Sequence, residues 1–124
     1  MRVFVTGVAG QLGHDIMNDL ATRGYEGIGT DIAPEYNGIS DDTAVTHMPY
    51  ISLDITDRVA VESTIAKINP DAVIHCAAWT AVDRAEDKEN RQKVHAINAD
   101  GTQNIADACK KIDAKMVYIS TDYV

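Results

Sequence analysis

The sequence predicts an α/β fold, with three α/β/α layers built around a doubly wound parallel sheet in the strand order 3-2-1-4-5. Three observations lead there. Short β-rich apolar runs alternate with stretches of helical periodicity, and strands joined through helices form right-handed crossovers in a parallel sheet. The run Ala72–Cys76 is nearly all apolar, as in strands whose two faces are both covered. A glycine-rich turn stands directly between the first strand and the first helix.

Each element has its own signal. Arg2–Thr6 is a compact Val-Phe-Val strand closed by Thr-Gly. From Gln11 to Arg23, Leu12, Ile16 and Leu20 mark one helix face, and Gly24 is a natural stop. The second strand covers Glu26–Thr30 and ends in Asp31. Residues Ala33–Met48, with Pro34, Asn37-Gly38 and Asp41-Asp42, hold no period and read as a surface loop. A short strand, Tyr50–Leu53, precedes a helix over Arg58–Ile68 that Thr56 or Asp57 can cap and Asn69-Pro70 ends. The fourth strand is Ala72–Cys76. Ala77–Glu89 reads as a loop or short helical turn. A long helix follows over Arg91–Lys111, with Val94, Ile97, Gly101, Ile105 and Ala108 at helical steps, and Lys115–Ser120 is the fifth strand.

Composition narrows the classes of function. The 124 residues carry 19 acidic and 11 basic side chains, a net charge of -8, with 45% hydrophobic and 24% charged residues. That balance is globular rather than disordered. It argues against nucleic acid as a partner, because phosphate backbones need a basic footprint. The longest uncharged stretch, Val3–His14, is shorter than the ~18 apolar residues of a membrane span and is broken by glycines. No basic leader with a long apolar run opens the chain, so a cytoplasmic protein away from membranes is expected. Cys76 and Cys109 make no disulfide framework. His14, His47, His75 and His95 lack metal-ligand spacing, and no metal site is expected. His75 and Cys76 lie within an apolar run and read as a core histidine and a core thiol, and Cys109 as a helix-core thiol. Asp83, Glu86, Asp87 and Glu89, mixed with Arg84 and Lys88, read as a solvated face.

The sharpest chemical signal is Gly7-Val-Ala-Gly10-Gln-Leu-Gly13. A diphosphate has to reach backbone N–H groups at a helix N-terminus, where orphan donors and the helix dipole favour negative charge. Gly7 permits the tight turn, Gly10 removes a side chain that would block the phosphates, and Gly13 lets helix and strand approach closely. Asp31 follows Gly13 by 18 residues at the end of the second strand, where a carboxylate accepts hydrogen bonds from the adenosine ribose and repels a 2′-phosphate. The pattern describes a Rossmann-type dinucleotide site, with NAD(H) favoured and NADP(H) the alternative. Asp54, at the end of the third strand, suits either the adenine amino group or a helix cap. Ala77-Ala78 leave room for a cofactor to cross the strand ends. Asn98 stands beside Ile97 on the striped helix and requires hydrogen-bond partners if buried. Thr121 is a strand-end hydroxyl or a catalytic donor, and Trp79 an aromatic of the substrate side or of the core.

These segments together resemble a known family. The glycine run with Gln11-Leu12, the stretch Ala77-Ala78-Trp79-Thr80-Ala81-Val82-Asp83-Arg84-Ala85-Glu86, the piece Asn98-Ala99-Asp100-Gly101-Thr102 and the terminal Tyr118-Ile119-Ser120-Thr121-Asp122-Tyr123-Val124 resemble the dTDP-4-dehydrorhamnose reductases of the extended short-chain dehydrogenase/reductase superfamily. The resemblance implies reduction of the C4 ketone of a dTDP sugar by a nicotinamide cofactor, the last step to dTDP-L-rhamnose. It implies that Gly10, Gln11, Leu12, Asp31, Asp54, Ile55, Ala78 and Thr80 contact the cofactor. Thr121 matches the family's catalytic Ser/Thr, and Thr80, Val82, Asp122 and Tyr123 match positions lining the sugar pocket. It covers the whole chain but only the N-terminal part of the family's architecture. Residues 1–124 are therefore expected to be the NAD(P)-binding domain, with the substrate-binding C-terminal part absent from this chain. The superfamily's Tyr-x-x-x-Lys acid–base pair is missing too, since no tyrosine here is followed four places on by lysine. The chain alone is expected to bind dinucleotide without turnover, and a homodimer is an option for the full-length protein. Two other classes also fit. One is the regulatory β subunit of methionine adenosyltransferase, similar in fold and in its Thr-Asp-Tyr-Val segment. The other is a sugar-nucleotide epimerase or dehydratase of the same superfamily, which Thr-Asp-Tyr-Val disfavours.

Overall fold

A computed structural model describes residues 1–8, 10–36, 49–76 and 88–119, with the backbone alone for Gln11 and residues 88–98. Eight elements are described: β1 (Arg2–Thr6), α1 (Gln11–Thr22), β2 (Glu26–Asp31), β3 (Tyr50–Ser52), α2 (Arg58–Ile68), β4 (Ala72–His75), α3 (Lys88–Ile112) and β5 (Lys115–Tyr118). The strands form one sheet in the order β3-β2-β1-β4-β5, every pair parallel, as the alternation of strands and helices requires.

Alternation along β1 divides the core into two layers. Phe4 faces α2 and α3, in a cluster with Ile28, Val61, Ile65, Val73, Ile105 and Cys109. Val3 and Val5 face α1, with Val8, Met17, Leu20 and Cys76. Both sheet faces are therefore covered, and Val3, Phe4 and Val5 are all buried. This explains why β1 reads as a continuous apolar run.

Element ends follow local chemistry. Gly24, at φ +77°, closes α1: its N–H bonds to Ala21 O and that of Tyr25 to Leu20 O, the paired bonds of a Schellman end. Asp57 caps α2 by accepting from the Ala60 N–H, and Asn69 ends that helix in the left-handed region at φ 50°. Several boundaries differ from the sequence reading: α1, β3 and β4 each end one residue earlier, at Thr22, Ser52 and His75, and the long helix runs one residue further, to Ile112. The long helix starts at Lys88 rather than Arg91, because its first turns, Lys-Glu-Asn-Arg-Gln-Lys, contain good helix formers but no apolar residue to mark a period. β2 extends to Asp31, which pairs with Ser52, and β5 stops at Tyr118. The Ala33–Met48 loop is described only to Tyr36, and Ser120 lies outside the described residues.

Candidate nucleotide-binding site

Because all five strands run parallel, the segments that follow them emerge along one edge of the sheet. β1 sits between β2 and β4, with α1 packed on one face of the sheet and α2 and α3 on the other, so this edge contains the switch point where α/β sheets take ligands.

The glycine turn is built at that point. Gly7 has φ 74°, a conformation that side chains rarely allow, and its N–H donates to Thr30 O at 2.9 Å. The Gly10 N–H donates back to Gly7 O at 3.1 Å, and Gly10 is the N-cap of α1 with no side-chain cap on the helix. The first N–H groups of α1 are thus left without a side-chain acceptor of the helix's own, the arrangement that suits an anion. Gly13 is the tightest position. A Cβ there would lie 2.3 Å from Gly7 O and 2.7 Å from Val8 Cα, both backbone atoms. Gly29 of β2 is a glycine the sequence reading passed over: a Cβ there would meet Val8 Cγ1 at 2.8 Å. Leu12 is half-buried against the α1-side core, so part of its role is packing.

The acidic candidates stand farther along the same edge. Asp31 is half-buried at the end of β2 and accepts from the Ile32 N–H at 2.8 Å. Beside it, Tyr50 donates to Ala33 O at 2.7 Å and meets Tyr36 edge-on with ring centroids 6.1 Å apart. Burial, with the Asp31 charge adding to it, pushes the Tyr50 hydroxyl above the usual phenol range. Asp54 does not cap α2, since Asp57 does that. Its Oδ1 instead accepts from the Thr56 hydroxyl at 2.7 Å and the Thr56 N–H at 3.0 Å, and these bonds hold its carboxyl below the usual range. Ile55 is half-buried and touches the α2–α3 core.

Below the switch point lies a buried polar chain that sequence reasoning did not find. The Cys76 N–H donates to Thr6 Oγ1 at 2.9 Å, Thr6 Oγ1 meets His75 Nδ1 at 2.7 Å, and His75 Nε2 meets Thr102 Oγ1 at 3.1 Å. It ties β1, β4 and α3 together where the candidate crevice opens. His75 is fully buried, as its place in an apolar run predicted, and desolvation lowers its pKa to about 4. The signal available in the sequence was a threonine and a histidine inside otherwise apolar strands.

Gly7, Gly10, Leu12, Gly13, Asp31, Asp54 and Ile55 thus all lie along one edge of the sheet, with Gln11 placed there by its backbone. Asn98 lies within α3, where only the backbone is described. Ala77, Ala78, Trp79, Thr80, Val82, Thr121, Asp122 and Tyr123 lie outside the described residues, as does the acidic cluster from Asp83 to Asp87. Among the described residues, no group of three or more His, Cys, Asp or Glu is placed to hold a metal ion, and no helix is long and apolar enough to cross a membrane.

A parallel 3-2-1-4-5 sheet with a glycine turn opening the helix after its first strand defines a Rossmann-type nucleotide-binding fold. Comparison with known proteins carries the assignment further. The family described as RmlD substrate binding domain matches residues 1–124, and this chain belongs to it. The chain is similar to the dTDP-4-dehydrorhamnose reductase of Mycolicibacterium smegmatis, with 37% identity over 99% of this chain and 31% of the relative. It is also similar to the spore coat polysaccharide biosynthesis protein SpsK of Bacillus subtilis, with 33% identity over 99% of this chain and 36% of that protein. Among solved structures, UDP-glucose 4-epimerase of Thermus thermophilus, in complex with NAD, superposes with a TM-score of 0.78 at 29% identity, over 98% of this chain and 38% of the other. The chain spans about a third of the length of these curated relatives.

Proposed function

We propose that this chain is the cofactor half of an NAD(P)H-dependent sugar-nucleotide reductase that converts the C4 ketone of dTDP-4-dehydro-L-rhamnose to the alcohol of dTDP-L-rhamnose. The observation that carries the reading is the uncapped, glycine-lined start of α1 at the switch point, in a chain 37% identical to a dTDP-4-dehydrorhamnose reductase over nearly its whole length. Relatives of both reductase and epimerase kind share the fold. The Ser120-Thr121-Asp122-Tyr123-Val124 segment favours the reductase.

The residues fit a dinucleotide. The diphosphate would rest on the amides that open α1, where Gly7, Gly10 and Gly13 keep side chains away. Asp31 would take the adenosine ribose hydroxyls. Asp54, ionised and anchored by Thr56, would accept from the adenine amino group, with Ile55 beside the ring. Gln11, Leu12, Ala77, Ala78, Thr80 and Asn98 complete the proposed cofactor contacts, and Thr80, Val82, Asp122 and Tyr123 the sugar pocket. The bound nicotinamide supplies the hydride. A ketone gaining hydride develops oxyanion character, and Thr121 would donate the hydrogen bond that steadies it. Tyr25, Tyr36, Tyr50 and Tyr118 are followed four residues on by Gly29, Ser40, Asp54 and Asp122 rather than lysine, so these 124 residues by themselves are expected to bind without reducing a sugar.

The segment Ile32–Tyr36 after Asp31 carries Glu35 and no Lys or Arg, so nothing in it would favour a 2′-phosphate. NADH is therefore the expected ligand. Fluorescence titration should show tighter binding of NADH than of NADPH, with the gap narrowed in Asp31→Ser. Equal affinities in the unmodified protein would overturn the assignment of Asp31.

A further inference from the structure

We propose that Asn104 and Gly101, on one face of α3, are positioning residues for Asp54 and so set how strictly the protein recognises an adenine. The inference rests on the reading of Asp54 as the adenine acceptor. It adds what holds that carboxylate in place.

The geometry turns on one peptide unit. Asn104 Nδ2 donates to the carbonyl of Ile55 at 3.0 Å, a partly buried bond between residues 49 apart in the chain. The same peptide carries, on its opposite side, the Thr56 N–H, which donates to Asp54 Oδ1 at 3.0 Å. A peptide is planar, so fixing its carbonyl fixes the direction of its N–H. Asn104 therefore orients the donor that orients Asp54. The Thr56 hydroxyl adds a second bond to the same oxygen, and Asp54 Oδ2 has no partner among the described residues. One oxygen is committed to the turn and the other is free to accept from a ligand.

Gly101 brings α3 close enough for this. It is buried, and a Cβ there would lie 2.5 Å from Ile55 Cδ1 and 2.6 Å from Cγ1. Any larger residue would press on the end of the Ile55 side chain and loosen the seat of α3 on the turn. Gly101 and Asn104 are three residues apart and so share a helix face, which grips Ile55 by its side chain and its carbonyl at once. Inside the turn, the Asp57 N–H donates to Asp54 O at 3.0 Å and Asp57 caps α2, so the turn is anchored to the helix that follows it. Lys111 of α3 also meets Glu62 of α2 at 2.9 Å, a surface contact between the same two helices.

The test compares NADH with nicotinamide hypoxanthine dinucleotide (reduced), in which the amino donor of adenine is replaced by a carbonyl oxygen. A hydrogen bond to a charged acceptor should favour NADH by about 10-fold or more. The intact protein is expected to show that preference, and Asp54→Asn to lose most of it. Asn104→Leu, of similar size but without a donor, should bring the ratio of the two dissociation constants close to that of Asp54→Asn. Binding of the hypoxanthine analogue should change little, whereas a general loss of folding would weaken both ligands alike. Adding Asn104→Leu to Asp54→Asn should then have no further effect on the ratio. Gly101→Ala, which leaves the Asn104 side chain intact, should lower the ratio as well and serves if Asn104→Leu does not fold. A ratio that depends on Asp54 but is unchanged in folded Asn104→Leu or Gly101→Ala protein would overturn the proposal and leave the adenine reading standing. A ratio near one in the intact protein, unmoved by Asp54→Asn, would overturn the adenine reading itself and this inference with it.

Discussion

Acidification should weaken this fold through one residue more than its position in a strand suggests. His75 is fully buried, with Nδ1 against Thr6 Oγ1 at 2.7 Å and Nε2 against Thr102 Oγ1 at 3.1 Å. Both ring nitrogens are already engaged by hydroxyl groups, and burial lowers the pKa from 6.5 to about 4 with no charged partner to offset it. The unfolded chain takes up this proton near the ordinary value, the folded chain only near pH 4. Between those values the unfolded state binds more protons, so the contribution is complete above pH 6.5 and is lost as pH falls through the window. Each whole step in pH across that window removes about 1.4 kcal/mol, so the loss reaches about 2 kcal/mol by pH 5 and about 3 kcal/mol by pH 4. The protein also carries 19 Asp and Glu side chains, so the measurement has to be a difference that cancels them. Urea unfolding of the unmodified protein and of His75→Gln, at constant ionic strength between pH 7.5 and 4.5, isolates the histidine. The glutamine variant has no titrating group at this position, and its stability relative to the unmodified protein should improve by about 2 kcal/mol on going to pH 5. A difference that stays constant to within about 0.5 kcal/mol would refute the assignment of a neutral, desolvated imidazole.

Two further perturbations probe the site and the core. Gly13→Ala places a Cβ 2.3 Å from the Gly7 carbonyl oxygen, which has no side-chain rotamer by which to yield. It should cost on the order of 1–3 kcal/mol in denaturant unfolding and weaken dinucleotide binding at the same time, and wild-type-like behaviour in both would remove the close-approach argument. Cys76 and Cys109 are 1% and 2% exposed, and burial pushes the Cys76 thiol up to about 11 and raises that of Cys109. Neither should react with Ellman's reagent at pH 8 under conditions where both react promptly in denaturant, whereas rapid native-state labelling would contradict their placement.

The parts of this fold that could be read from sequence are those whose cause is local. A glycine forced to positive φ at Gly7, a helix stop at Gly24 and an Asx cap at Asp57 are each decided within a few residues. The apolar runs of β1 and β4 gave away the covered sheet, and its parallel pairing followed from alternation. The start of α3 was missed because its first turns carry no apolar residue to mark a period. Asp54 stayed open between the adenine amino group and a helix cap, because a carboxylate just before a helix suits either. The structure removes the cap, which Asp57 supplies, and shows Asp54 bonded to Thr56 instead. The chain from Cys76 through Thr6 and His75 to Thr102 was beyond reach, since it joins residues 69 and 27 apart whose meeting depends on the assembled sheet. Gly101 was visible only as a gap in an apolar stripe, and nothing near it in sequence names Ile55 as the residue that fills the gap.

The central place of β1 also shapes the order in which the molecule can become itself. Its neighbour on one side, β2, begins 24 residues downstream, but its neighbour on the other, β4, pairs Ala72 with Val3 across 69 residues. Closing so long a loop costs entropy before any contact rewards it, which makes that pairing a late event in folding. Phe4 meets Val73 in one core layer and Val5 meets Cys76 in the other, so neither layer is complete until β4 docks. The glycine turn precedes β4 in the chain, yet it gains a rigid floor only when Thr6 receives the Cys76 N–H. Ligand affinity and global folding should therefore rise together, with no stage at which the first 36 residues bind as an independent unit.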